Sequence, residues 1–481
     1  MSEETKSAAV QIVRTLREHG YKAFLVGGCV RDLVLEREPA DYDVATDAHP
    51  EDVMRIFPRT WAVGAQFGVV LVPIGSGDRV IRSSGDLKDA EGKESITRSS
   101  NHQITRSPDP PITRSIEVAT FRSDGLYTDG RHPNEVVYTK EAREDVQRRD
   151  FTINGLLLDP TTNQVLDYVG GLGDLRAGMV RTIGAPERRF GEDKLRMLRA
   201  VRFAARFGYR VDPQTMRTIP ELAPQMAQVS RERVRDELTK MLTEGQARRA
   251  FELLDESRLL PEVLPEIERM KGVAQPPQFH PEGDVWVHTL LMLGMLKPGG
   301  SRTLAWGALL HDAGKPPTFR VAPDRIRFDG HVEVGVAMAQ EIGRRLRMSG
   351  NDMRQIEALV ANHMRFADGF KMKPSTLKRF LRLPRFAEHL EMHRIDCLAS
   401  HGDLSIYDFL RRKLEELPPE EIRPAPLLTG HDLIALGYGP GPRFKEILTA
   451  VEDAQLEGRL RTKAEALEFV RREFPDVVIG G

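Results

Sequence analysis

A chain of 481 residues, 40% hydrophobic and 29% charged, has apolar material for three or four cored domains and charge enough to keep them in water. Its 70 Lys and Arg residues against 71 Asp and Glu exclude a globally basic nucleic-acid binder, so any RNA-binding surface has to be a local cluster of Arg and Lys. Two distant cysteines, Cys29 and Cys397, exclude a disulfide framework, and no apolar run reaches the ~20 residues of a membrane span; the expectation is a cytoplasmic chain without a signal peptide or a membrane partner.

In chain order, Ile12, Val13 and Leu16 mark one face of a helix closed by Gly20. YKAFLV is a buried strand ending at Gly27-Gly28. VRDLVLE is then a short helix, DYDVAT a strand, EDVMRIF a helix opened by Pro50, and FGVVLVPI and IEVATF two further strands. This alternation predicts a mixed α/β head over 1–158. Between its last two strands, residues 76–115 hold ITRS three times, starting at Ile96, Ile104 and Ile112, among Ser, Asn, Asp and Pro. The repeat is too short for a solenoid unit and predicts a low-complexity insertion tolerated between adjacent strands. From 159 to 275 the chain is helical, and Arg-rich between Arg188 and Arg210. The Pro-rich stretch QPPQFHPEGD at 275–284 predicts a domain boundary. A His-bearing helical domain spans 276–410, and KLEELPPEEIRPAPLL leads into a small helical region over 411–481. The fold class is α+β: a mixed-sheet head followed by all-α domains.

The head carries the first chemical constellation. Gly27-Gly28, at a strand-to-helix turn, lets backbone approach a phosphate closely, and Arg31 follows one helical turn later. Asp41 and Asp43, two apart in a strand, face one point and repel unless cations sit between them. Alone, such a pair is as well explained as a solvated Asp-x-Asp at a strand end. The order of strand, Gly-Gly, Arg-Asp helix and Asp-x-Asp strand resembles the polymerase-β-like nucleotidyltransferases, which implies a third carboxylate on a neighbouring strand, with Glu117 in IEVATF the candidate. That resemblance implies two Mg²⁺ ions, one activating a 3′-hydroxyl and the other holding pyrophosphate.

Four ordered motifs extend the likeness over residues 24–210: FLVGGCVRDLVL…DYDVAT, EVATFRSDGLYTDGRHPNEV, RRDFTINGLLLD and GEDKLRMLRAVRFAARFGY. Together they resemble the bacterial class II tRNA CCA-adding enzymes and the related poly(A) polymerases. The resemblance implies template-independent addition of CCA to the tRNA 3′ end from CTP and ATP. It places Arg149, Asp150 and Asn154 near the sugar and phosphates of the incoming nucleotide. It makes Asp193 and Arg196, three apart on an expected helix, a protein template for C and A. Arg199, Arg202 and Arg206 continue that face toward triphosphate or tRNA, or are a solvated face. The loop FRSDGLYTDGRHPNEV, with Arg122, Asp124, Asp129 and Arg131, is of the length kept by members that add the final A.

A second constellation follows the Pro-rich stretch. His288, His311-Asp312 and Asp396 form an H…HD…D pattern, with His331 and His363 as further candidates and Lys315 close in sequence. Imidazole and carboxylate suit a transition metal or Mg²⁺, and an adjacent His-Asp in an apolar helix is costly to bury unpartnered. The pattern resembles the HD phosphohydrolases, which implies a divalent metal of unspecified identity and hydrolysis of a phosphate ester on RNA. Three rivals share parts of this layout: a poly(A) polymerase or partial CC- or A-adding enzyme, a nucleotide-signalling synthetase–hydrolase, and a regulatory protein nucleotidylyltransferase. The signalling enzymes normally place HD first, and the regulatory ones carry ligand-sensing domains after it.

Overall fold

The computed structural model describes residues 2–57, 59–62, 68–74, 114–123 and 137–475. They fall into two compact units, Met1–Asp193 and Lys194–Gly481. Most of the ITRS insertion and residues 124–136 of the charged loop lie outside the described residues.

The first unit is built on strands β1 (Ala23–Val26), β2 (Asp43–Thr46), β3 (Val69–Pro73), β4 (Ser115–Thr120), β5 (Arg122–Ser123), β6 (Val137–Tyr138), β7 (Leu156–Asp159) and β8 (Gln164–Asp167). Six of them form one sheet in the order β3-β4-β2-β1-β7-β8, and β5 and β6 form a separate pair. Every neighbouring pair in the large sheet is antiparallel except β2 and β4. The helix Ser2–Glu18 packs Ala9, Ile12, Val13 and Leu16 inward, and Gly20 ends it at φ +86°. On one side of the sheet Val26, Ala45, Phe121, Val146 and Leu157 form a buried cluster. The sheet runs on to Asp167, past the expected limit of the head at 158, because β7 pairs with β1 and β8 with β7.

The ends of the insertion meet. β3 and β4 pair antiparallel from Val69↔Ala119 to Pro73↔Ser115, and the Ile74 amide donates to the Arg114 carbonyl at 2.5 Å. A short link can therefore close the gap, since loop-closure entropy changes only slowly with length. Deleting residues 80–112 and joining the flanks with Gly-Ser residues is expected to leave Tm within about 2 °C and nucleotide addition within about twofold of the parent. A folded deletion with lost RNA affinity, measured by filter binding, would instead make the segment's arginines RNA contacts.

The second unit is helical. Its first helix, Leu195–Phe207, packs against Arg231–Thr243 and Ala247–Glu256. Arg202 is expected from sequence on an outward basic face, but it is 5% exposed and bonded to Glu237 at 2.6 Å and to Glu244 at 3.0 Å. Arg206 also reaches Glu244, at 3.3 Å, and Arg199 approaches Glu237 at 3.8 Å with about a third of its side chain exposed. Lys194–Gly481 is one compact unit. Trp306 donates its indole N–H to Thr239, and Arg345 forms a bidentate pair with Glu266. The last helices, Gly430–Ala435, Pro442–Leu456 and Lys463–Glu473, share a core of Leu433, Ile447, Val451 and Val470. They are fastened to the helix Pro374–Leu381 by Arg379–Glu452 and Ser375–Glu457. Among the described residues no helix is long and apolar enough to cross a membrane.

Candidate active site and metal centre

In the first unit, β1 ends at Gly27, whose φ of +76° only glycine adopts without strain. A Cβ there would also lie 3.3 Å from Nη1 of Arg149. The seven-residue helix Gly28–Val34 follows, and the chain returns through β2. Parallel pairing sets Asp43 directly beside Glu117 of β4. Asp41 and Glu117 are exposed and Asp43 is half-buried. Asp41 was expected inside the strand; it stands two residues ahead of Asp43, the first strand residue. Both neighbours still act on Asp43. Burial pushes the Asp43 carboxyl up to about 6, Glu117 and Asp41 add to the rise, and Arg149 opposes it. A divalent cation would relieve that repulsion, and hard carboxylate oxygens are the donor set such an ion takes.

The RRDFTIN motif ends in a single 3-10 turn, Thr152–Asn154. Asp150 Oδ1 accepts from the Phe151 amide at 2.8 Å and from Asn154 Nδ2 at 3.1 Å. Asn154 in turn accepts from Nη1 of the buried Arg31 at 2.7 Å, and Arg31 also bonds Asp32. Two motifs 123 residues apart are thus locked together. Arg149 is held by Asp145 at 3.0 Å, while its buried Nε has no partner among the described residues. Burial alone would raise the Asp145 carboxyl; Arg149 and Arg148 outweigh it and hold it below the usual range.

Asp193 departs from expectation. The helix Pro186–Glu192 stops before it, its own backbone is extended (φ −149°, ψ 105°), and a new helix starts at Leu195. Asp193 and Arg196 therefore do not share a helix, and the face expected from their spacing does not exist. Arg196 lies in the first turn of the second helix.

In the second unit the H…HD…D residues converge. His288 lies in the helix Val285–Gly294, His311-Asp312 directly after Arg302–Leu310, His331 at the start of His331–Arg345, His363 directly after Gly350–Asn362, and Asp396 in Phe386–Ala399. Gly314 makes the close approach possible, since a Cβ there would meet the His331 carbonyl oxygen at 2.0 Å. His288 Nε2 lies 3.2 Å from Asp396, and His311 Nε2 3.1 Å from Asp312 Oδ2. His363 and His331 approach the other oxygen, Oδ1, at 3.8 and 4.0 Å. The rings are turned by their far nitrogens. Nδ1 faces the carbonyls of Ala308, Phe328 and Val360 in His311, His331 and His363, so it carries the proton and Nε2 presents a lone pair.

His288 Nε2 and His311 Nε2 are buried without a hydrogen bond among the described residues, the contacts above being close but misdirected. Orphaned donor atoms in such a set fit a metal ion. Two groupings share Asp312: His288–His311–Asp312 and Asp312–His331–His363. The charges agree. Burial pushes the His288 imidazole down, yet Asp396 and Glu282 outweigh it and lift it to about 9, so the cluster draws positive charge as proton or metal. Burial would raise the Asp312 carboxyl, but His311 and Lys315 hold it well below the usual range. Lys315 reaches Asp312 Oδ2 at 2.7 Å and Gln275 at 2.6 Å. Sequence reasoning missed Gln275, His280 and Glu282, which line this centre from the Pro-rich stretch. The run His280-Pro281-Glu282, six to eight residues before His288, was the available signal.

The chain matches the Poly A polymerase head domain over residues 23–99 and 86–181. It matches the probable RNA and SrmB-binding site of polymerase A over 208–271, and the HD domain over 285–399. It is 39% identical over 251 residues to the CCA-adding enzyme of Geobacillus stearothermophilus, covering 52% of this chain and 53% of that protein. It is 35% identical over 292 residues to the CCA-adding enzyme of Bacillus licheniformis, covering 60% and 64%. The alignments thus span between half and two thirds of these curated relatives. Among solved structures, the Bacillus stearothermophilus CCA-adding enzyme in complex with CTP superposes with a TM-score of 0.66 at 26% identity, covering 98% of both chains. The Thermotoga maritima CCA-adding enzyme complexed with tRNA shares the fold, at a TM-score of 0.54 and 16% identity.

Proposed function

We propose that this chain, a homologue of the CCA-adding enzymes with a Poly A polymerase head and an HD domain, adds CCA to the 3′ end of tRNA from CTP and ATP. The observation that carries the reading is the register that sets Asp43 beside Glu117, next to the glycine turn at Gly27. Mg²⁺ ions held by Asp41, Asp43 and Glu117 would supply charge neutralisation at the attacking hydroxyl and the departing pyrophosphate. The protein's own part is positional. Gly27 and Gly28 leave room for phosphate oxygens. Arg149, braced by Asp145 and with Nε unpartnered, offers a donor over that turn. Arg31 holds Asn154, and Asn154 holds Asp150, in one orientation for a ribose or phosphate contact. Base choice rests with Asp193 and Arg196 on the GEDKLR match alone.

The HD residues form a second, hydrolytic centre for a phosphate ester. His288, His311 and Asp312 would hold a divalent metal, with Asp396 beside His288 and with His331 and His363 on the far oxygen of Asp312, and the metal would supply an activated water there. The fused order, head first and HD second, favours this reading over a signalling synthetase–hydrolase.

The test is incubation of the full chain with tRNA lacking CCA, with CTP and ATP supplied singly and together, and products resolved to one nucleotide. CTP alone is expected to extend the tRNA by two residues, and both nucleotides by three. A ladder of adenylates from ATP alone overturns the reading in favour of a poly(A) polymerase; arrest after two residues with both nucleotides marks a partial enzyme.

A further inference from the structure

The Pro-rich stretch 275–284 lies ahead of the HD match, which begins at residue 285. Its side chains nevertheless reach the metal centre. Glu282, with its side chain 7% exposed, accepts hydrogen bonds on one oxygen from Nδ1 of His288 at 2.7 Å and Nδ1 of His280 at 2.9 Å. The two rings meet edge-on, with centroids 5.1 Å apart. Gln275, 4% exposed, accepts from Lys315, which touches Asp312. Asp284 caps the helix that carries His288 and also accepts from the Gly272 amide at 2.6 Å.

We infer that Glu282 is the positioning residue of this centre, holding the Nδ1–H of His288 so that Nε2 of that ring faces Asp312 and His311. The consequence for metal binding rests on the hydrolytic-centre reading above; the orientation of the ring does not. His311, His331 and His363 each stand at a helix boundary and bond Nδ1 to the carbonyl three residues before them. His288 lies within a helix, where the carbonyl three residues back, that of Val285, already accepts from the Thr289 hydroxyl at 2.8 Å. It takes its acceptor from outside the helix instead, and that acceptor fixes the ring and raises the basicity of Nε2. A direct metal contact by Glu282 is the worse account. An ion among Glu282, His280 and His288 would displace both Nδ1 protons, leaving His288 to bridge two ions as imidazolate.

The experiment uses the full chain, with Mn²⁺ affinity measured by calorimetry and the His288 tautomer by NMR of ¹⁵N-histidine-labelled protein. Glu282→Ala is expected to weaken Mn²⁺ binding about 10–100-fold and to remove the fixed Nδ1–H signal of His288. Glu282→Gln, whose amide oxygen still accepts, is expected to keep that signal and most of the affinity, and His280→Ala to bind within about twofold of the parent. Wild-type affinity with an unchanged tautomer in Glu282→Ala overturns the inference. So does a Glu282→Gln variant as weak as Glu282→Ala with the tautomer retained, because Glu282 is then a ligand. If the parent takes up no Mn²⁺, the metal-centre reading falls, and comparison of the Nδ1–H signal alone decides the positioning role.

Discussion

Asp43→Asn is expected to lower nucleotide addition at least about 10³-fold while leaving the fold and tRNA binding in place. The substitution keeps the shape of the side chain and removes one of three charges that would hold cations at the reacting phosphate; several kcal/mol of lost charge stabilisation is three or more decades in rate. The folded state has no need of that charge. Burial and the neighbouring Glu117 already push the carboxyl up to about 6, so above that pH the ionised form destabilises the head. Tm of the Asn variant should hold or rise at pH 7.5, opposite in sign to the activity, as expected where stability is given up for function. Single-turnover addition of CMP to tRNA and a thermal scan on the same sample check both halves. Addition within tenfold of the parent would remove Asp43 from the site.

Arg202→Ala is expected to act in the reverse sense, on stability first. Arg202 and Glu237 have side chains 5% and 4% exposed and meet at 2.6 Å. Removing the guanidinium takes the closest partner from a buried Glu237 and leaves it Lys240 at 3.7 Å and Arg199 at 3.8 Å, at a cost of about 3 kcal/mol, the low end for breaking a buried pair. In a unit as large as Lys194–Gly481 this is about 6 °C in Tm. The double variant Arg202→Met with Glu237→Leu removes both charges and should recover most of the loss, since a well-packed apolar pair often replaces a buried ion pair without penalty. An unchanged Tm together with weakened tRNA binding would return Arg202 to the nucleic-acid surface.

These two residues mark where sequence was sufficient and where it was not. β1, β2, β3 and β4 were legible because their short apolar runs and the Gly27-Gly28 break are local signals, and Glu117 could be chosen because the nucleotidyltransferase resemblance calls for a third carboxylate on a neighbouring strand; its strand does pair with the one bearing Asp43. The burial of Arg202 was not legible. An Arg-rich helix looks outward until Glu237, 35 residues later, supplies the countercharge. The helix break at Asp193 carries no proline, and GEDKLRML has helical spacing throughout; only the backbone shows that Asp193 is extended. Glu282 was hidden for a different reason. Pro276, Pro277, Pro281 and Gly283 signal irregular chain, and irregular chain both links domains and lines sites. Composition cannot separate those uses, whereas the bonds from Glu282 to His288 and from Gln275 to Lys315 can.

The pairing of β3 with β4 divides the head into two regimes of tolerance. Between Pro73 and Ser115 the chain accommodates dozens of extra residues, because both ends are clamped by the ladder and length there changes only loop entropy. Three residues further on, length is counted by parity. Ile116, Val118 and Thr120 are buried, and Glu117 stands between them on the opposite face. One inserted residue within β4 would exchange the two faces, sending Glu117 into the core and an apolar side chain to Asp43, whereas a second insertion would restore the facing. Changes of length are therefore expected to be free in size at one end of a strand and confined to even steps at the other.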